Sequence, residues 1–146
     1  MHDYQFSDAQ DLGSLNSTGV VSSNIFDLEE GVSVDQLVMG WVNGIILSTS
    51  NTGGAEGLWI EVRSADSDNL STTPLYHGAI LLTQDEIVAG REFSIGVYAP
   101  VCEKYFGLWY RAVNTSLNGA TKIDAHWALE PASHLRIQKK NTSSGA

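Results

Sequence analysis

Four segments of the chain alternate apolar and polar residues with a period of two, the signature of strands that bury one face. In residues 58–63, Leu58, Ile60 and Val62 share one side, with Trp59, Glu61 and Arg63 opposite. In residues 92–98, Phe93, Ile95 and Val97 oppose Glu92, Ser94, Gly96 and Tyr98. In residues 104–113, Phe106, Leu108, Tyr110 and Ala112 oppose Tyr105, Gly107, Trp109 and Arg111. In residues 122–130, Ile123, Ala125, Trp127 and Leu129 oppose Lys122, Asp124, His126, Ala128 and Glu130. Further strands are expected over residues 20–28 and 76–82. Residues 37–47 are long and apolar, and Gly40 and Gly44 interrupt them, which predicts a bulged or bent strand.

Only residues 84–89 suggest a helical turn, with Thr83 as N-cap, Glu86 as its reciprocal acceptor and Gly90 closing the end. No helix is long enough for a crossover between parallel strands. Seven or eight short strands then mean an all-β fold, an antiparallel sandwich or jelly roll, over residues 20–130. Residues 1–19 read as an N-terminal arm and residues 131–146 as a C-terminal extension, partly disordered. At 146 residues the chain can build one real core, with no second domain.

Composition agrees. Charged residues are 17% of the chain, against about 25% in ordinary soluble domains, and 14 glycines supply turns. The net charge of −9 disfavours nucleic acid as a partner, because phosphate binding rests on Lys and Arg. The imbalance is uneven. Through Glu130 there are 17 acids and 5 bases, giving −12, whereas the rest carries Arg136, Lys139 and Lys140 and gives +3. No apolar run approaches a membrane span, and no basic-then-apolar leader follows Met1, so a soluble protein made in a cytoplasm is expected.

Candidate chemistry is sparse. His2, His77, His126 and His134 have no H-x-H or H-x-x-x-H spacing, and Cys102 is alone, so no metal site and no cofactor is expected. Asp66-Ser67-Asp68-Asn69 opens like a calcium loop, but Ser71 and His77 occupy the places of the required Gly and Glu. There is no nucleophile elbow and no phosphate-cradling glycine loop, and no catalytic residues are assigned. The aromatics carry more information. Trp59, Tyr105 and Trp109 fall on the nominally polar strand faces. They line either a surface for a partner or subunit, or a second face covered by the chain's own loops.

Several motifs together point to a family. Phe6-Ser7-Asp8-Ala9-Gln10 is followed by Ser23-Asn24-Ile25-Phe26-Asp27-Leu28. Then come Ala89-Gly90-Arg91-Glu92-Phe93, Tyr105-Phe106-Gly107-Leu108-Trp109-Tyr110 and Gly119-Ala120-Thr121-Lys122-Ile123-Asp124-Ala125. Over residues 5–130 the chain resembles the capsid cement, or decoration, proteins of tailed bacteriophages, the jelly-roll family first described from a Bordetella phage. The resemblance implies a non-enzymatic virion protein made in the bacterial host cytoplasm. It would bind the outside of an assembled shell and tie neighbouring major capsid subunits together; separately, the excess of Trp and Tyr on nominally polar faces predicts self-association, as a dimer or, second, a trimer. Phe6, Asp8 and Gln10, in a stretch with few apolar groups, are the expected docking residues of the arm. The other reading open for the arm is that it covers a sheet edge. For the whole chain, the other reading is a glycan-binding jelly-roll module with Trp59 and Trp109 as sugar platforms.

Overall fold

The computed structural model describes residues 5–28, 39–49, 54–99, 101–117 and 121–131. The strand end expected after Leu28 and nearly all of the C-terminal extension lie outside them. Among the described residues nine strands form: β1 (Gln5–Asp11), β2 (Val20–Val21), β3 (Phe26–Asp27), β4 (Met39–Ser48), β5 (Gly57–Ala65), β6 (Leu75–Thr83), β7 (Glu92–Tyr98), β8 (Tyr105–Val113) and β9 (Lys122–Ala128). They make two antiparallel sheets packed as a sandwich. One has the order β1-β9-β4-β7; the other has β2-β8-β5-β6, with β3 also on β8. Counted as one interrupted strand, β2 and β3 give the strand order of a jelly roll.

The period-two segments behave as their pattern dictates. Leu58, Ile60 and Val62 of β5, Leu108, Tyr110 and Ala112 of β8, and Ile123 and Ala125 of β9 are fully buried between the sheets. At the centre Phe106 meets four rings. Phe6, Phe26 and His77 lie 6.1, 5.9 and 5.7 Å from it centroid to centroid, and Trp127 meets it edge-on at 5.9 Å. The helical expectation shrinks to a 3-10 turn, Gln84–Glu86, whose Glu86 carboxylate accepts the Thr83 N–H at 2.9 Å.

Two expectations need correction. β4 does carry an irregularity, as expected, but not at its glycines, for its pairing with β7 runs from Met39 to Ile45 without a register shift. They make room. A Cβ on Gly40 would lie 2.2 Å from the Trp127 ring, and one on Gly44 2.3 Å from that of Phe93. The one irregularity, between Ile46 and Ser48, is against β9.

The second correction concerns the arm. Gln5–Asp11 is β1, an edge strand on β9 with two register irregularities. Phe6 has no solvent exposure and stacks on Phe26 at 4.7 Å, so it is a core residue and not a docking contact. The Tyr110 hydroxyl donates to Ser7 Oγ and Ser7 Oγ donates to Gln10 Oε1, each at 2.7 Å. Gln10 Oε1 also accepts from Ser23 N, while its Nε2 donates to the Val21 carbonyl. Burial, moderated by the Ser7 bond, holds the Tyr110 phenol far above its ordinary pKa. Gln10 therefore ties β1 to β2 across the sandwich, and only Asp8 and Ala9 of the motif remain exposed. Too few apolar groups to fold alone is no bar to folding as a strand, because Phe6 draws its burial from residues 20 to 100 positions away.

Phe6→Ala is expected to cost about 3–5 kcal/mol, read from the urea midpoint. Ser7→Ala, which strands the buried Tyr110 hydroxyl, should cost about 1–3 kcal/mol, and Asp8→Ala should stay within about 0.5 kcal/mol. Removing residues 1–12 should then unfold the body. A truncated chain melting cooperatively near the full-length temperature would restore the detachable arm.

Candidate functional site

The outer face of the five-stranded sheet gathers the aromatics that the sequence singled out. Register sets Trp59 opposite Arg111, Glu61 opposite Trp109, and Arg63 between Gly107 and Tyr76. Glu61 Oε1 accepts from Arg63 Nε at 3.0 Å and Nη2 at 2.7 Å, and Oε2 accepts from Arg111 Nε at 3.0 Å. Arg63 Nη1 donates to the Leu70 carbonyl. The Arg63 guanidinium lies over the rings of Trp109 and Tyr76 at 4.6 and 5.0 Å, Arg111 over Trp59 at 5.4 Å, and Lys104 over Tyr105 at 4.8 Å. This face is a second small core. Ala65, Leu70 and Trp109 are buried, with Val21, Ile25 and Tyr105 packed against them.

Trp109 is only 8% exposed. Gly19, at φ +98°, lets the chain pass over it; a Cβ there would lie 2.2 Å from the indole Nε1. Of the two readings of these aromatics, coverage by the chain's own segments holds for Trp109, while Trp59 and Tyr105 are half-buried beneath Arg111 and Lys104. The structure does not bring these three together with Phe6, Asp8 and Gln10 as one surface. Asp8 is exposed on β1, whereas Phe6 and Gln10 belong to the fold.

A second group lies inside one end of the sandwich. A register shift between β5 and β6 at Val62/Arg63 turns His77 inward. Ser64 Oγ accepts the Glu103 N–H at 3.0 Å, and its hydroxyl lies 2.7 Å from His77 Nε2. Either atom can be the donor in that pairing, according to the ring tautomer, and burial lowers the ring's pKa, which favours its neutral form. Cys102 Sγ is 4.0 Å from the same nitrogen, and burial raises its thiol, which makes it a poor nucleophile. Ser64 has no solvent exposure, so its hydroxyl is not presented to solvent in this conformation. Nearby, a hydrogen bond with Asp66 holds the Glu103 carboxyl above its ordinary value. Among the described residues, no three His, Cys, Asp or Glu side chains gather as metal ligands.

His77 also forms part of an open cleft of about 440 Å³, lined by Met39, Gly40, Trp41, Gly96, Val97, Tyr98 and Leu129. Met39 pairs with Tyr98 and Trp41 with Gly96, so these side chains project from the outer face of the four-stranded sheet. Trp41 lies across Gly96, within 3.4 Å of where a Cβ would stand. Met39 is 69% exposed, Tyr98 63% and Leu129 80%, and Val101, just past β7, is 68% exposed. Large apolar groups this exposed around an aromatic cleft form a patch of the kind that monomeric proteins rarely leave uncovered. The reading of the sequence missed it, although a signal was present. Met39, Trp41, Ile45 and Leu47 share one parity of β4 while Val42 and Ile46 hold the other, so the strand is apolar on both faces. That pattern equally fits a strand buried on both sides.

No protein-family model matches the chain, and no curated protein matches it either.

Two measurements test this account. Glu61→Gln leaves the buried Arg63 without its counter-charge and should cost about 3–5 kcal/mol, whereas Arg111→Gln, at a side chain 35% exposed, should cost less than about 1 kcal/mol. The lowered pKa of His77 means that the unfolded chain takes up a proton before the folded one. Stability should therefore fall as pH drops below about 6.5. Replacing His77 with Gln should flatten that decline, read as urea midpoints at successive pH values. An unchanged slope would show the ring to be free to protonate in place.

Proposed function

We propose that this chain is a non-catalytic structural module that binds the outside of an assembled protein shell, as phage capsid cement proteins do. Its docking surface is the outer face of the four-stranded sheet around Met39, Trp41, Tyr98 and Leu129. The observation that carries this reading is the exposed apolar rim around the Trp41–Tyr98 cleft, on a chain that is otherwise strongly acidic. A rigid sandwich supports such a role, because its contact residues sit on strands and lose little freedom on binding. The motif resemblance supports it from the sequence side, with the major capsid protein as partner and the outer capsid surface of the virion as location. Self-association as a dimer, with a trimer second, would use the same kind of apolar face.

A protein that binds assembled shells and not free subunits stabilises the shell by mass action, and many copies add avidity. The acidic body suits a basic outer surface on the coat and disfavours nucleic acid. The glycan-binding alternative is less well supported, since Trp109 is covered and Trp59 lies under Arg111.

The test is co-sedimentation with empty assembled shells of the cognate major capsid protein. Trp41→Ala combined with Tyr98→Ala should weaken binding by about 30-fold or more, as loss of a hot spot does, at an unchanged melting temperature. Trp59→Ala should bind as the parent does. Undiminished binding by the double variant would displace the docking surface. Retention on a glycan array without binding to shells would overturn the cement reading.

A further inference from the structure

The apolar cleft carries an imidazole in its wall. His77 lines it, yet is only 8% exposed, because the register shift between β5 and β6 turns the side chain inward. The ring is held on two sides. Phe106 stacks on it at 5.7 Å, and Nε2 lies 2.7 Å from Ser64 Oγ, which also accepts the Glu103 N–H. Cys102 Sγ approaches the same nitrogen, at 4.0 Å. Both polar contacts thus use Nε2. No buried side-chain nitrogen among the described residues lacks a partner. Nδ1, which takes neither of these contacts, is therefore the nitrogen that stays accessible, on a ring whose open side is the cleft.

The surroundings define what fits there. Met39 and Leu129 form an exposed apolar rim, and the Trp41 ring lies across Gly96. A group that fills such a cleft is mostly apolar, with one hydrogen-bonding atom at its tip for Nδ1. Tyrosine and tryptophan have that form, and both are enriched at interface hot spots. A charged tip would be stripped of water with no counter-ion at hand. The groups facing the ring leave an imidazolium equally alone. β5 offers Ser64 and β8 offers Phe106, while β4 and β7 offer the cleft side chains Met39, Trp41, Val97 and Tyr98. The segment before β8 brings the Cys102 thiol and Glu103, whose carboxyl is hydrogen-bonded to Asp66, just past β5. Among the described residues no carboxylate bonds the ring.

We propose that His77 is the polar anchor of this cleft: its Nδ1 hydrogen-bonds the tip of a tyrosine or tryptophan that the coat protein inserts beside Trp41 and Tyr98, and the contact requires the neutral ring. The partner in this inference rests on the docking reading above; the anchor is a property of the cleft alone. An inserted ring excludes water and disfavours the imidazolium further. Docking then releases a proton wherever His77 is charged in the free protein. It weakens as pH falls below about 6.5, by up to about tenfold per unit.

Two experiments on the full chain test the anchor. The probe without a shell is p-cresol, the tyrosine side chain in isolation, added at millimolar concentration while the ring nitrogens of isotope-labelled histidine are followed by NMR. It should shift the His77 Nδ1 resonance and lower the midpoint of the ring's titration, and Trp41→Ala should abolish both effects. A midpoint that p-cresol leaves in place overturns the anchor. With empty shells of the major capsid protein, the parent should bind several-fold more weakly at about pH 5.5 than at about pH 7.5. His77→Gln, whose amide replaces Nε2 toward Ser64 but offers nothing at Nδ1, should bind about fivefold more weakly at the higher pH. It should also show a flatter pH profile, with circular dichroism reporting a folded chain at both values. Because both chains meet the same shells, titration of the coat cancels, and equal slopes overturn the anchor. Asp66→Asn with Glu103→Gln should keep the parent's profile; a flat profile there would assign the pH dependence to the carboxyl pair and overturn the role of His77. If p-cresol acts as expected but the parent binds no shell at either pH, the anchor stands and the docking function fails.

Discussion

The stack around Phe106 is the contact on which the rest of the sandwich depends. It joins rings from β1, β3, β6, β8 and β9, so both sheets and the N-terminal segment share one apolar centre. Fixing five strands against one ring also fixes the spacing of the sheets, and close packing leaves little room for alternatives. The accommodations elsewhere follow from it. Gly40 yields space to Trp127, the register shift in β6 swings His77 inward, and β1 closes an edge that would otherwise offer unpaired backbone groups.

Buried polar groups are few, and the fold uses them in linked sets of three. Glu61 with two arginines, Ser7 with Tyr110 and Gln10, and Ser64 with His77 and the Glu103 amide each bury groups that would be costly alone. No buried side-chain nitrogen or oxygen among the described residues lacks a partner. Such networks do not rank as strong stabilisers, since a buried ion pair barely offsets its desolvation. Their effect is to make alternatives expensive: a slipped β5–β8 register would separate Glu61 from Arg111. The acidic surplus is left to the surface, where it governs long-range attraction and not the fold.

A division between the two outer faces results. On the five-stranded sheet, cations over rings and segments from residues 19–25 and 66–74 seal the surface. On the four-stranded sheet, Met39, Trp41, Tyr98 and Leu129 stay open around a cleft. An aromatic residue on a polar face is thus poor evidence for a binding surface until its cover is known. Trp109 and Trp41 look alike in their strand patterns, yet only the first is sealed by its own chain.

What the sequence determined by itself is the strands of the alternating segments and their inward sides. Leu58, Ile60 and Val62, or Phe93, Ile95 and Val97, declare a buried face because alternation is a local property of an extended chain. The sandwich follows, since several half-buried strands without helices must cover one another. What only the tertiary structure decided is the fate of the opposite faces. Whether Trp109 or Trp41 meets water depends on where residues 19–25 and the loop after β5 come to rest, and those contacts leave no periodic trace. The same holds for Phe6-Ser7-Asp8-Ala9-Gln10. Its short polar run reads as an arm because its apolar partners, Phe26 and Phe106, lie far along the chain, and burial is decided in space, not in sequence.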